Sequence, residues 1–160
     1  MAISMFLQVS GITGESKDSN HTGWSDILSF SWGANQPNNM NVGGGGGAGK
    51  VYFNDLHVNA LIDKATPSLM KYCANGEHIP TITLSVCKAG GTQVEYTQIV
   101  LTQVLVTAVQ YIGAHTDDTV GINYSFQAAS VKSEYWVQLD TGGQGASTEF
   151  TWDIKQNTGS

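Results

Sequence analysis

"VEYTQIVLTQVLVTAVQYI", residues 94–112, is the longest apolar-rich run in the chain, and its reading decides the fold. Its length suits a helix. Its density of Val, Ile and Thr does not, because side chains branched at Cβ lose freedom in a helix and sit well on a pleated surface. The run is therefore a strand, and the segments on either side of it repeat the period of two that strands require. In "WSDILSFSWG", residues 24–33, Leu28, Phe30 and Trp32 fall on one face, with Ile27, Ser29, Ser31 and Gly33 on the other. "VYFNDLHVNALI", residues 51–62, sets Tyr52, Leu56, Val58 and Ala60 against Val51, Phe53, Asp55 and His57. "IPTITLSVCKAG", residues 79–90, brings Ile82, Leu84 and Val86 to a common side. Further strands are expected at "TVGINYSFQAAS", "EYWVQL" and "EFTWDIKQ", with turns at "KAGGT", "IGAHTDD" and "DTGGQGAS" between them.

One segment has a different grammar. "ATPSLMKYCANG", residues 65–76, offers Thr66 as a helix cap, Pro67 at the first helical position and Gly76 to end the helix in the left-handed region. Leu69, Met70, Cys73 and Ala74 then share a face. This predicts one short helix, about 67–75, lying on an otherwise all-β body. At 160 residues, with no linker or repeat, the chain is expected to be a single domain over 1–160.

Composition narrows the function. Only 12% of residues are charged, the formal net charge is −6, and the seven basic residues are scattered. Such a surface repels nucleic acid. No apolar run approaches the roughly 20 residues of a membrane span. The start, "MAISMFLQVSG", lacks the basic and apolar regions of a secretory signal, so synthesis in the cytoplasm and export by another route are expected. Cys73 and Cys87 are too isolated for a metal site and are expected as buried, reduced thiols.

"NVGGGGGAGKV", residues 41–51, contains Gly44 and Gly49-Lys50 at the spacing of a phosphate-binding loop. That loop needs an apolar strand before it, a helix after it and a hydroxyl following the lysine. Here "NQPNNMN" leads in, Val51 follows Lys50 and a strand comes next, so the nucleotide reading fails. Consecutive glycines cost backbone entropy, of order 0.5–1 kcal/mol each against alanine. They make sense as a free loop tip, or as a segment ordered by a neighbouring subunit that leaves no room for Cβ.

No catalytic set stands out. His21, His57, His78 and His115 are far apart and are expected to face solvent or make one hydrogen bond. "HTDD", residues 115–118, reads as a solvated turn, and no nucleophile elbow is present. Trp32 and Trp152 alternate with apolar neighbours and belong to the core. "GITGESKDSNHTGW", residues 11–24, is long for a loop in a small β protein; its composition is that of an exposed, mobile segment.

"MAISMFLQVSGITGESKDSNH", "SFSWG", "GGGGGAGKV", "IDKATPSLMKYCANGEHIP", "KAGGTQVEY" and "WDIKQN" occur in this order over Met1 to Asn157. Together they make the sequence similar to the haemolysin-coregulated protein (Hcp) family, the inner-tube subunit of bacterial type VI secretion systems. The resemblance implies a compact β-barrel of two packed antiparallel-rich sheets with one flanking helix. It implies homo-hexameric rings that stack into a tube, with a spike protein at the tip, a contractile sheath outside and effector proteins in the lumen. It implies no enzyme activity and no cofactor. Ser31 in "SFSWG" matches a lumen-facing position, and Ser29 shares its small, uncharged face. Gly43, Gly44, Gly45, Gly46, Gly47, Ala48, Gly49 and Lys50 would form a loop that contacts neighbouring subunits. Glu15, Ser16, Lys17 and Asp18 would lie in a loop on a ring face. With the sequence stopping a few residues after "WDIKQN", no C-terminal toxin domain of the kind some members carry is expected. The alternatives are a carbohydrate-binding β-sandwich module using Trp24 and Trp136, and a phage-type tail-tube subunit.

Overall fold

The computed structural model describes residues 3–37, 49–88 and 93–160. In chain order the elements are β1 (Ile3–Val9), β2 (Ser25–Ser31), β3 (Ala34–Asn35), β4 (Tyr52–Phe53), β5 (Leu56–Leu61) and the helix α1 (Thr66–Asn75). They continue with β6 (Ile79–Lys88), β7 (Val94–Ile112), β8 (Gly121–Gln138), β9 (Gln144–Asp153) and β10 (Thr158–Gly159). The run that reads as a strand by its branched side chains is β7, unbroken from end to end.

Every strand pairing is antiparallel. The main sheet runs β10-β9-β8-β5-β2-β1-β6-β7, and β7 then pairs with β8. That last pairing closes β8, β5, β2, β1, β6 and β7 into a six-stranded barrel, whose opposite walls are the two packed layers. β8 is long enough to serve two neighbours on one side. Its first part, Gly121–Phe126, pairs with β5, and the part from Ser130 to Gln138 pairs with β9. The expected separate strands "TVGINYSFQAAS" and "EYWVQL" are thus one strand that changes partner without breaking.

Alternation fills the interior. Leu56, Val58, Ile82, Leu84, Leu101, Val106, Tyr124 and Phe126 are all buried in one core cluster. Full burial of such a side chain contributes about 1.5–3 kcal/mol relative to exposure. β6 is covered on both faces, and its polar Thr83 and Ser85 are buried as well as its apolar residues.

Alternation fails at one place in β2. Ile27 pairs with Ala60, but Ser29 and not Leu28 pairs with Asn59. Leu28 is the extra residue of a β-bulge and its side chain is 55% exposed. The bulge changes parity, so Ser25 and Ile27 point inward before it, and Phe30 and Trp32 pack on the core after it. Leu28 therefore does not share a face with Phe30 and Trp32 as the pattern predicts.

Helix α1 lies against β7 with Thr66 and Leu69 buried, Met70 and Cys73 half-buried and Ala74 exposed. Gly76 ends it at φ 70°, where its N–H bonds the Tyr72 carbonyl. Thr66 is not the cap. Ala65 holds that position, and the Thr66 hydroxyl accepts the Asp63 N–H at 3.1 Å and bonds the Tyr124 hydroxyl at 2.7 Å. Asp63 fixes the turn that leads into the helix: its Oδ1 accepts the Ala65 N–H, and its Oδ2 accepts the Ser25 hydroxyl. The buried Tyr124 hydroxyl needs a partner, and Thr66 supplies it from inside the first turn. Loss of solvation pushes the Tyr124 phenol up to about 12 despite this bond.

Candidate functional site

The parity set by the Leu28 bulge puts Ser29 and Ser31 on the outer surface of the barrel wall, both exposed. Sheet register then carries each across its neighbours. Ser29 lies beside Asn59 of β5, Asn59 beside Asn123 of β8, and Asn123 beside Gln110 of β7. Ser31 lies beside His57, His57 beside Ser125, and Ser125 beside Ala108. Two polar rungs therefore cross four strands on one wall, and they line a shallow recess of about 420 Å³.

The rungs are tied internally. The Asn59 Nδ2 donates to Asn123 Oδ1 at 2.6 Å, and His57 Nδ1 and Ser125 Oγ are 2.8 Å apart. No residue in them carries a fixed charge. Beyond one end Asp55 accepts the Thr107 hydroxyl at 2.8 Å, and the exposed Asp26 of β2 stands beyond the other. Toward the other end stand the exposed apolar side chains of Leu28, Leu61 and Ile112. Such a wall forms hydrogen bonds but holds nothing by strong local fields. The sequence identified Ser29 and Ser31. It missed Asn59, Asn123 and Gln110, although the polar spacing in "HVN" and "NYS" was there to be read.

The loop before β2 is not the free segment its composition predicts. Gly14 N–H bonds the Gly23 carbonyl, Ser16 N–H the Trp24 carbonyl and Gly23 N–H the Ser16 carbonyl. His21 is buried, and both its ring nitrogens have polar partners where exposure or a single hydrogen bond is expected. Its Nδ1 donates to Asp18 Oδ2 at 2.6 Å, and its Nε2 lies 3.3 Å from Ser85 Oγ on β6. The Ser85 hydroxyl in turn donates to the Glu95 carboxylate. Asp18, His21 and Ser85 have the order of a nucleophilic triad, but Ser85 is 0% exposed and its proton is held by Glu95. No substrate carbonyl reaches it, so the array pins the loop to the barrel. Burial also pushes the nearby Cys87 thiol up, which disfavours the nucleophilic thiolate.

Of the loop residues singled out from sequence, Ser16 is buried, Asp18 is committed to His21, and Glu15 Oε2 accepts the Lys64 N–H at 3.0 Å. Lys17 is exposed. Gly49 and Lys50 are exposed, and Gly43–Gly47 and Ala48 lie outside the described residues. Trp24 is half-buried with its ring edge-on to His21, which leaves little of it for a sugar. Cys87 is buried, Cys73 half-buried, and both are free thiols. No helix among the described residues is long and apolar enough to cross a membrane.

Comparison with known proteins agrees with this architecture. A family described as "Type VI secretion system effector, Hcp" matches residues 6–135. Protein hcp1 of Pseudomonas aeruginosa is 42% identical over 159 residues, which covers 98% of each chain. The crystal structure of Hcp1 from Salmonella typhimurium superposes with a TM-score of 0.82 at 32% identity, covering all of both chains. A structure of a type six secretion system protein reaches a TM-score of 0.93 at 26% identity, over 99% of this chain and 100% of that one.

Proposed function

Because this chain belongs to the Hcp family of the type VI secretion system, we propose that it is a structural, non-enzymatic subunit of the secretion tube. Six copies form a ring, rings stack into a tube, and the wall bearing Ser29 and Ser31 faces the lumen, where effector proteins travel. The observation that carries this reading is the pair of uncharged polar rungs across β2, β5, β8 and β7. A channel for varied cargo needs a wall that wets and forms hydrogen bonds without trapping one sign of charge. Barrel closure supports it too: the six closed strands present faces and loops for assembly, with β9 and β10 of the same sheet beyond the closure, and a head-to-tail contact that turns by one-sixth closes a ring.

In this arrangement Gly49 and Lys50 meet a neighbouring subunit, and the loop of Glu15, Ser16, Lys17 and Asp18 lies on a ring face. The chain is made in the cytoplasm and leaves through the machine. A spike protein caps the tube and a contractile sheath surrounds it. Electron microscopy of the purified protein, with its mass from light scattering, tests the ring. Six-fold particles with a central hole are expected, and a monodisperse monomer at high concentration overturns the reading. Ser31→Gln tests the lumen: rings should still form while retention of a cargo protein is lost, since six bulky amides then narrow the same channel.

A further inference from the structure

The amide pair at the centre of the wall defines a ligand chemistry. Asn59 and Asn123 use one donor and one acceptor on each other at 2.6 Å. That bond leaves the Asn59 Oδ1 and the Asn123 Nδ2 outside the pair. Reversing both amides keeps the result, because the pair then still shows one free carbonyl and one free NH2. A free donor and a free acceptor thus stand on neighbouring strands, one on each side of the shared bond. The edge of an extended peptide, or a primary amide side chain, presents the complementary pair. His57 extends the offer: with Nδ1 engaged by Ser125, its Nε2 stays available on an exposed ring.

We infer that this wall recognises cargo by neutral peptide and amide groups, through Asn59 and Asn123 flanked by Ser29, Ser31, His57 and Gln110. The partner is a protein segment that presents backbone edge or Asn, Gln, Ser and Thr side chains. This rests on the lumen reading given above for the wall. Its binding is insensitive to salt, since no ion pair forms, and repetition in six copies converts a weak contact into retention.

Asn123→Asp isolates the chemistry. It keeps the oxygen that accepts from Asn59 Nδ2 and turns the free donor into a charged acceptor, so the fold is preserved. The probe is acetyl-Asn-Gln-Ser-Asn-Gln-Thr-amide, with a Glu/Lys peptide of equal length as control, titrated against 15N-labelled protein. The expected result is that the uncharged peptide shifts the side-chain amide signals of Asn59 and Asn123, equally at about 0.1 M and about 1 M salt, where screening lengths are about 10 and 3 Å. The control peptide should leave them in place. Asn123→Asp should weaken the uncharged peptide about tenfold or more, with an Asn59→Leu/Asn123→Leu variant behaving alike. Unshifted amides, stronger binding of the charged peptide, or binding that Asn123→Asp leaves within about twofold each overturns the inference. Rings that form and lose cargo with Ser31→Gln while the peptide fails would leave the tube reading standing. Absence of rings would remove that reading and leave the titration readable on the monomer.

Discussion

The imidazole of His21 lies flat on the phenyl ring of Phe6, with centroids 4.1 Å apart and planes 9° from parallel. Phe6 is buried in β1, so this stack joins the loop before β2 to the barrel wall. Together with the Asp18 and Ser85 contacts it makes His21 a structural pin. His21→Ala should lower the unfolding free energy by about 2–3 kcal/mol, as loss of a buried polar network does. Urea unfolding reads the loss, and hydrogen exchange at Gly14, Ser16 and Gly23 should quicken with it. A change under about 0.5 kcal/mol would mean the loop holds without its pin.

Tyr124 gives an alkaline limit. Its phenol titrates at about 12 in the folded chain against an ordinary 10, because burial disfavours the phenolate. A folded value above the unfolded one means that the stabilisation is complete below pH 10 and is lost as pH rises toward 12. Stability should therefore fall over that window. Tyr124→Phe should flatten this part of the slope in denaturant titrations at stepped pH. An unchanged slope would assign the alkaline loss to other groups.

Leu28 is removable. Its deletion converts the bulged pairing of β2 with β5 into a regular one, and every residue after it keeps its side of the wall. The shortened chain should fold, with stability within about 2 kcal/mol of the parent. Deleting Thr83 from β6 should instead abolish folding, since Leu84 and Val86 would trade faces on a strand buried on both. Circular dichroism and thermal melts separate the two. Equal damage from both deletions would show that the bulge is needed in its own right.

Charge should govern stacking. Six copies at −6 each give a ring of about 6 × (−6) = −36 formal charges. Bare rings should resist stacking at about 0.01 M salt, where the screening length is about 30 Å, and lengthen as it shrinks to about 8 Å at 0.15 M. Tube length by sedimentation that stays constant over this range would rule out electrostatic control.

Local chemistry announced some of this plainly and other parts not at all. Branched side chains made Val94–Ile112 a strand, and Pro67 with Gly76 bounded the helix; each is a property of the residues themselves. The facing of β2 was readable only as far as Ile27, because a bulge is specified by the partner strand and leaves Leu28 looking like any alternating residue. β8 looked like two strands because the small, mixed residues from Ala128 to Ser130 interrupt alternation just where it passes from β5 to β9. Ser29 and Ser31 were legible as a polar face. The rungs they belong to depend on register with residues about thirty and ninety positions away, and the partner of His21 on β6 is 64 positions away. No local pattern carries such distances.

Closure of the barrel also sets the timing of manufacture. β5 has β2 on one side, and on the other it waits for Gly121–Phe126 of β8. A nascent chain emerges at about 5–20 residues per second, so seconds pass in which β5 is translated but its second neighbour is not. During that interval the half-built wall exposes a strand that another nascent chain of the same message could join. A hairpin of β7 and β8, local in sequence and the longest in the molecule, is suited to end the exposure quickly once it appears. The units that build a larger assembly are then finished chains released from the ribosome, and the pace of translation through residue 126 becomes a determinant of how many of them are sound.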